Sequence, residues 1–174
     1  EKKSSDHLYS MFKTYYDNSK SLFKPATTYN TKRDLTFNND SGTGLGTVID
    51  TATAGSRETG RSQVAQLLHL SEVAFWADGS KIAAGMMEIV PMEPETAVIF
   101  ESTANGIGNY FHKQWNAAVM GKSAFVPMFF PWFMHSSYRL EHHELDYDML
   151  DSTERKLYNE LGVDFNQLAW RRMK

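Results

Sequence analysis

The chain has no cysteine, which excludes a disulfide framework and any zinc site built on thiolates. That fits a reducing compartment. Long apolar runs are missing too: none approaches the roughly 18 residues that a membrane-spanning helix needs. The first residues also lack a signal-peptide pattern, and no membrane partner is expected. Positive charge is in short supply. Net charge is −3, whereas a protein that grips DNA with its whole surface is usually basic, because phosphate neutralisation dominates that affinity. Any DNA contact must be local, or lie elsewhere in a longer polypeptide. Internal repeats and low-complexity tracts are absent as well.

What remains is an ordinary globular balance. The 174 residues are 41% hydrophobic and 22% charged, enough for a sizeable core. The chain opens on Glu1 and finishes inside a helical pattern, Phe165–Lys174, so it reads as part of a larger polypeptide.

Hydrophobic spacing sets out the order of elements. Leu8, Met11, Phe12, Tyr15 and Tyr16 recur at helical intervals. Leu35 and Phe37 alternate with polar residues, and the turn signal Asn38–Gly42 predicts a hairpin into Gly44–Ala52. Beyond it the spacing predicts a mostly apolar strand over Val64–Glu72, a short helix over Ser80–Val90 and a buried strand over Ala97–Glu101. A helix over Gly108–Met120, striped by Tyr110, Phe111, Gln114, Trp115 and Ala118, and a strand over Phe125–Phe130 follow. Strand, helix, strand, helix, strand calls for a parallel sheet covered by helices, an α/β fold. Residues 136–148 read as a polar linker, followed by helices opened by capping boxes at Asp151–Glu154 and Asp164–Gln167.

Open parallel sheets bind ligands beyond the carboxyl ends of their strands. Two such ends stand out, Leu70-Ser71-Glu72 and Glu101-Ser102-Thr103-Ala104-Asn105-Gly106. A carboxylate there can polarise a water, and a hydroxyl or amide on the next strand can sense a phosphate, which suits a nucleotide hydrolase. Taken singly, Glu72 reads equally well as a solvated carboxylate, and Thr103 with Asn105 as a capping turn. The pair carries more information than either.

Gly60-Arg61-Ser62, followed by Leu68-His69-Leu70-Ser71-Glu72-Val73-Ala74-Phe75-Trp76, resembles the Walker B region of phage terminase large subunits. Phe100-Glu101-Ser102-Thr103-Ala104-Asn105-Gly106, with Gly108-Asn109-Tyr110-Phe111 and Trp115 after it, resembles that family's coupling motif and the next helix. Phe129-Phe130-Pro131-Trp132-Phe133 and Tyr138-Arg139 are similar to its exit from the ATPase core.

The resemblance implies a partial RecA-like P-loop NTPase core, mainly parallel sheet flanked by helices, lying after Walker A. Residues 1–135 would form that portion, and 136–174 would lead toward a nuclease domain outside this chain. It implies ATP and Mg2+ as cofactors, with Glu72 as the glutamate that activates the attacking water. Ser71 stands where the family more often has the aspartate that holds magnesium through water; a hydroxyl is a weaker partner for a hard cation. Ser102, Thr103 and Asn105 match the motif that links hydrolysis to movement. Arg57 and Arg61 are candidate contacts for phosphate or DNA, although a solvated loop is the commoner reading of such arginines. Implied partners are double-stranded DNA, a portal protein, a small terminase subunit and further copies in a ring, in the cytoplasm of a bacterial host.

A motor of this kind also needs a GxxxxGK[ST] phosphate cradle. Gly121-Lys122-Ser123 imitates its end, but Asn116 occupies the upstream glycine position and a helix precedes it, so a helix cap explains Gly121 better. Residues 1–174 alone are therefore expected to bind ATP weakly and hydrolyse it negligibly. Gly42, Gly44 and Gly46 read as a loop, His142-His143-Glu144 as solvated linker, and Trp115, Trp132 and the Phe129–Phe133 cluster as core rather than base-stacking aromatics. Two rival readings stay open. One is a non-catalytic nucleic-acid or assembly-binding module on a P-loop-like sheet; the other is a different P-loop translocase, such as a helicase.

Overall fold

The computed structural model describes residues 2–31, 34–38, 45–55 and 64–174. It divides into two compact units, residues 1–123 and 124–174, with the boundary between Ser123 and Ala124.

In the first unit, α1 (Lys2–Asn18) precedes β1 (Thr27–Asn30), β2 (Asp34–Phe37) and β3 (Val48–Asp50). These strands form an antiparallel sheet in the order β1-β2-β3. The expected hairpin is the β2–β3 pair, whose connection at 39–44 lies outside the described residues. Strand β1, rich in polar residues, gave no sequence signal. The inward side of α1 also differs from expectation: Tyr9 is buried, whereas Leu8, Met11 and Tyr15 are exposed. Tyr9, Phe12 and Tyr16 form the stripe instead. The Tyr16 ring sits 5.5 Å from Phe37, and its hydroxyl donates to the Pro25 carbonyl at 2.6 Å. Tyrosine suits this side because its ring fills space while its hydroxyl finds a backbone acceptor.

Next come β4 (Leu67–Ser71), α2 (Gly79–Met87), β5 (Ala97–Glu101) and α3 (Tyr110–Val119). β4 and β5 pair in parallel, from Leu67 opposite Ala97 to Ser71 opposite Glu101. Strand alternation puts Leu68, Leu70, Val98 and Phe100 on one face, where they pack with Val73, Ala83, Tyr110 and Phe111. Each large apolar side chain buried here contributes roughly 1.5–3 kcal/mol. Gly79 lets the two helices approach, since a Cβ there would stand 2.9 Å from the Tyr110 Cβ. The opposite face is open, so β5 is not the buried strand its apolar run predicts: Leu67 and Ile99 are exposed, and His69 Nε2 lies 3.7 Å from Glu101 Oε1.

Helices and sheets are thus mixed, and one sheet is a parallel strand pair, which is compatible with an α/β fold. The parallel sheet is smaller than expected, with two strands among the described residues against three in the antiparallel one. Phe125–Phe130 is not a strand. Pro127 falls inside the run and Pro131 just after it, and proline removes a donor that a central strand needs. Val126, Met128, Phe129 and Phe130 are exposed, so the first two aromatics of the Phe129–Phe133 cluster are not the core residues their composition predicts. Gly121 is a helix terminator: at φ 67° it lets its own N–H reach the Ala118 carbonyl and that of Lys122 reach Ala117, a Schellman ending.

The second unit holds a short 3-10 turn at Trp132–Met134, then α4 (Ser152–Leu161) and α5 (Phe165–Met173). Both expected capping boxes are present, Asp151 with Glu154 and Asp164 with Gln167. Leu150, Val163 and Leu168 form the core, with Trp132, Phe133 and Phe165 against it. Trp170 stacks on Tyr138 at 4.2 Å.

Glu154 is the unusual core residue, only 2% exposed. Its carboxylate accepts from the Asp151 N–H at 3.0 Å and from Arg172 through Nε at 2.7 Å and Nη2 at 2.5 Å. Arg172 also donates to the Met149 carbonyl. One paired charge therefore ties the start of α4 to the end of α5. The Arg172 hydrogen bonds hold the Glu154 carboxyl below its usual range, although burial pushes the other way. Because the folded form has the lower pKa, this stabilisation is complete above the unfolded value near 4.5 and fades as pH falls through the folded one. Glu154→Gln should lower the melting midpoint of this unit at neutral pH by roughly 5–10 °C and flatten its acid dependence. Calorimetry from neutral to acid pH checks this; an unaltered midpoint would show that the pair adds nothing.

Candidate functional site

Glu72 follows the last residue of β4 with φ 56° and ψ 40°, a left-handed conformation. For a residue with a Cβ this costs roughly 1–2 kcal/mol. The chain turns there out of the strand and into a 3-10 turn at Val73–Phe75, whose Val73 and Ala74 are buried. The turn carries the Glu72 carboxylate toward the residue that follows β5. Its Oε2 accepts from the Ser102 hydroxyl at 3.2 Å, the Thr103 N–H at 3.4 Å and the Thr103 hydroxyl at 3.4 Å. These are long contacts. A carboxylate accepts about four hydrogen bonds, so capacity to hold a water remains.

Ser102 does more than meet Glu72. Its oxygen accepts the Ala74 N–H at 3.2 Å, and its single hydroxyl hydrogen is within reach of both Glu72 and the Thr103 carbonyl, the latter at 2.8 Å. Asn105 donates through Nδ2 to the Ala74 carbonyl at 3.1 Å. Two side chains of one loop therefore hold both polar groups of Ala74, two residues beyond Glu72. A neutral hydrogen bond nets only about 0.5–1.5 kcal/mol, so no single contact here offsets the left-handed turn comfortably. Together they do. The loop then turns through Gly106 at φ 68° and Gly108 at φ 87°, values that favour glycine.

Asn109 ends that loop and caps α3. Its side-chain oxygen accepts the His112 N–H at 2.9 Å. Its Nδ2 reaches back to the carbonyls of Asn105 at 2.9 Å and Gly106 at 3.4 Å.

Of the residues singled out from the sequence, Glu72, Ser102, Thr103 and Asn105 come together at one end of the parallel pair. Glu72 and Ser102 are half-buried, Thr103 and Asn105 exposed. Ser71 is the strand neighbour of Glu101 and, by alternation, shares the face of His69 rather than that of Leu70. Arg57 and Arg61 lie outside the described residues, as does the segment Gly60-Arg61-Ser62. His143, expected in a solvated linker, is instead half-buried and bonded within the second unit: Nδ1 accepts the Leu145 N–H at 3.0 Å, which leaves Nε2 to donate to Asn166 at 2.8 Å. Among the described residues no group of three His, Asp or Glu side chains is placed to hold a metal ion.

Sequence reasoning missed the Ala74 peptide and gave Asn109, within the string before the next helix, no role of its own. A backbone unit leaves no mark in a sequence. An asparagine ahead of a helical stripe does, since it is a favoured N-cap.

No protein-family model matches this chain, and no curated protein matches it either.

Chemically, the arrangement offers a carboxylate oriented by hydroxyl and backbone donors at a strand end, able to take a proton from a water. Contact lengths also rank the donors. Ser102→Ala leaves the buried Ala74 N–H without its acceptor and should lower stability by about 1–2 kcal/mol. Thr103→Val removes only a 3.4 Å contact at an exposed position and should cost under about 0.5 kcal/mol. Urea unfolding of the two variants checks the order, and equal losses would contradict this geometry.

Proposed function

We propose that this chain is part of the ATP-hydrolysing motor of a terminase large subunit, which moves double-stranded DNA into a procapsid. One observation carries the reading: Glu72 Oε2 meets the Ser102 hydroxyl and the Thr103 N–H at the carboxyl ends of adjacent parallel strands. The ordered sequence strings around those two ends add to it.

In this reading the strand pair belongs to a RecA-like P-loop core. Glu72 orients a water and accepts its proton. Ser102 and Thr103 hold the carboxylate until the phosphate side of the site changes, and Asn105 passes that change to the backbone after Glu72. ATP and Mg2+, when bound, supply the scissile phosphate bond and neutralise its charge. Magnesium usually keeps several waters and few protein ligands. The neutral Ser71 hydroxyl, at the last position of β4, fits a contact through such a water. The phosphate cradle, the portal protein, the small subunit and the ring of further copies belong to the intact motor, working in a bacterial host.

Glu72→Gln in the intact polypeptide should reduce ATP turnover about 100-fold or more while its circular dichroism stays unchanged. Residues 1–174 alone should remain at background. Full turnover by the variant would refute the hydrolytic role of Glu72. Absence of turnover in the unaltered intact polypeptide would favour the binding-module reading, and strand separation of duplex DNA would favour a helicase.

A further inference from the structure

Asn109 joins two structures that its sequence position alone does not connect. Its oxygen terminates α3 by accepting the His112 N–H, and its amide nitrogen grips the Asn105 carbonyl at 2.9 Å. Asn105 in turn holds the Ala74 carbonyl, and Ser102 holds the Ala74 N–H. Ala74 lies in the 3-10 turn that Glu72 opens in a left-handed conformation. Beside the packing of Tyr110 and Phe111 against the cluster that holds Val73, a polar route of two side-chain hydrogen bonds, Asn109 to Asn105 and Asn105 to Ala74, leads from the start of α3 to the backbone behind Glu72. The glycines at 106 and 108, both with positive φ and with open space around their Cβ positions, give the loop no packing of its own at those points. These polar ties, with the Gly108 N–H on His112 Nδ1 at 3.3 Å, hold it in place.

We propose that Asn109 is a positioning residue for Glu72, acting through Asn105 and the Ala74 peptide. A shift of the α3 N-terminus relative to β4 is then felt at Glu72, because the ties are short and in series. Ser102 provides the second position. Its one hydroxyl hydrogen can move between Glu72 Oε2 and the Thr103 carbonyl, so Glu72 can be released while the Ala74 N–H stays bound. The consequence for turnover rests on the hydrolytic reading of Glu72; the positional dependence does not.

Capping and positioning use different atoms of Asn109, so they can be separated. Asn109→Asp keeps an oxygen for the His112 N–H, and aspartate is as good an N-cap as asparagine. It loses the donor to Asn105. In the intact polypeptide, residue-resolved amide exchange by NMR should show the Ala74 N–H exchanging about 5- to 10-fold faster in Asn109→Asp, with the midpoint of thermal unfolding held, and faster too in Asn105→Ala, which also leaves the buried Ala74 carbonyl without its donor and lowers that midpoint. In Asn109→Asp, ATP turnover should fall by a similar factor in kcat, with KM unchanged, since Asn109 lies outside the 102–105 loop. An unchanged Ala74 exchange rate in folded Asn109→Asp overturns the proposal. So does faster exchange with kcat unaltered, in a polypeptide that hydrolyses ATP. If the unaltered polypeptide has no turnover, faster Ala74 exchange still supports the positional link, and only the hydrolytic reading fails.

Discussion

The left-handed turn at Glu72 is the constraint on which the candidate site depends. A strand that simply continued past Ser71 would place its side chains alternately on the two faces of the sheet. The turn instead brings the carboxylate across to the end of β5, within hydrogen-bond reach of Ser102 and Thr103. Backbone strain of this kind persists only where the surroundings over-determine it. Here the surroundings are two bonds to Ala74, the burial of Val73 and Ala74, and the carboxylate contacts themselves. Strain of this order in a helix interior would be a defect. At a strand end, beside a loop of hydroxyl and amide side chains, it gives a carboxylate that is aimed rather than merely exposed.

The two units solve the problem of buried polarity differently. In the second unit, Glu154 is fully withdrawn from water and matched by Arg172 and a backbone N–H, a rigid pair whose effect is structural. At the candidate site, Glu72 is half-buried and held by longer contacts, with exposed partners in Thr103 and Asn105. A group that must accept a proton and let go of it again suits the second environment better than the first. Release from a tight, buried ion pair is expensive.

Much of the local structure was legible from spacing alone. Strand β5 follows from Ala97–Glu101, a short apolar run between turn signals, and both capping boxes follow from an acidic residue three positions ahead of Glu154 or Gln167. Gly121 read correctly as a helix ending because a helical stripe precedes it. Failures have physical causes. The run at 125–130 is apolar enough for a strand, but the proline at 127 should have outweighed its composition. On α1 the buried side is set by tyrosines whose hydroxyls find carbonyls, a partnership that hydrophobic spacing does not register. For the candidate site, residue types at two strand ends and the family resemblance together singled out Glu72, Ser102, Thr103 and Asn105, whereas the Ala74 peptide, which Ser102 and Asn105 share, is invisible to any reading of side chains.

The central claim is that Glu72 and the 102–105 loop face one nucleotide-sized ligand. Backbone amide shifts of the intact polypeptide, titrated with Mg2+ and a non-hydrolysable ATP analogue, test it most directly. The account predicts saturable shifts at residues 71–75 and 102–106 together. Saturation with shifts confined to other parts of the chain would contradict it.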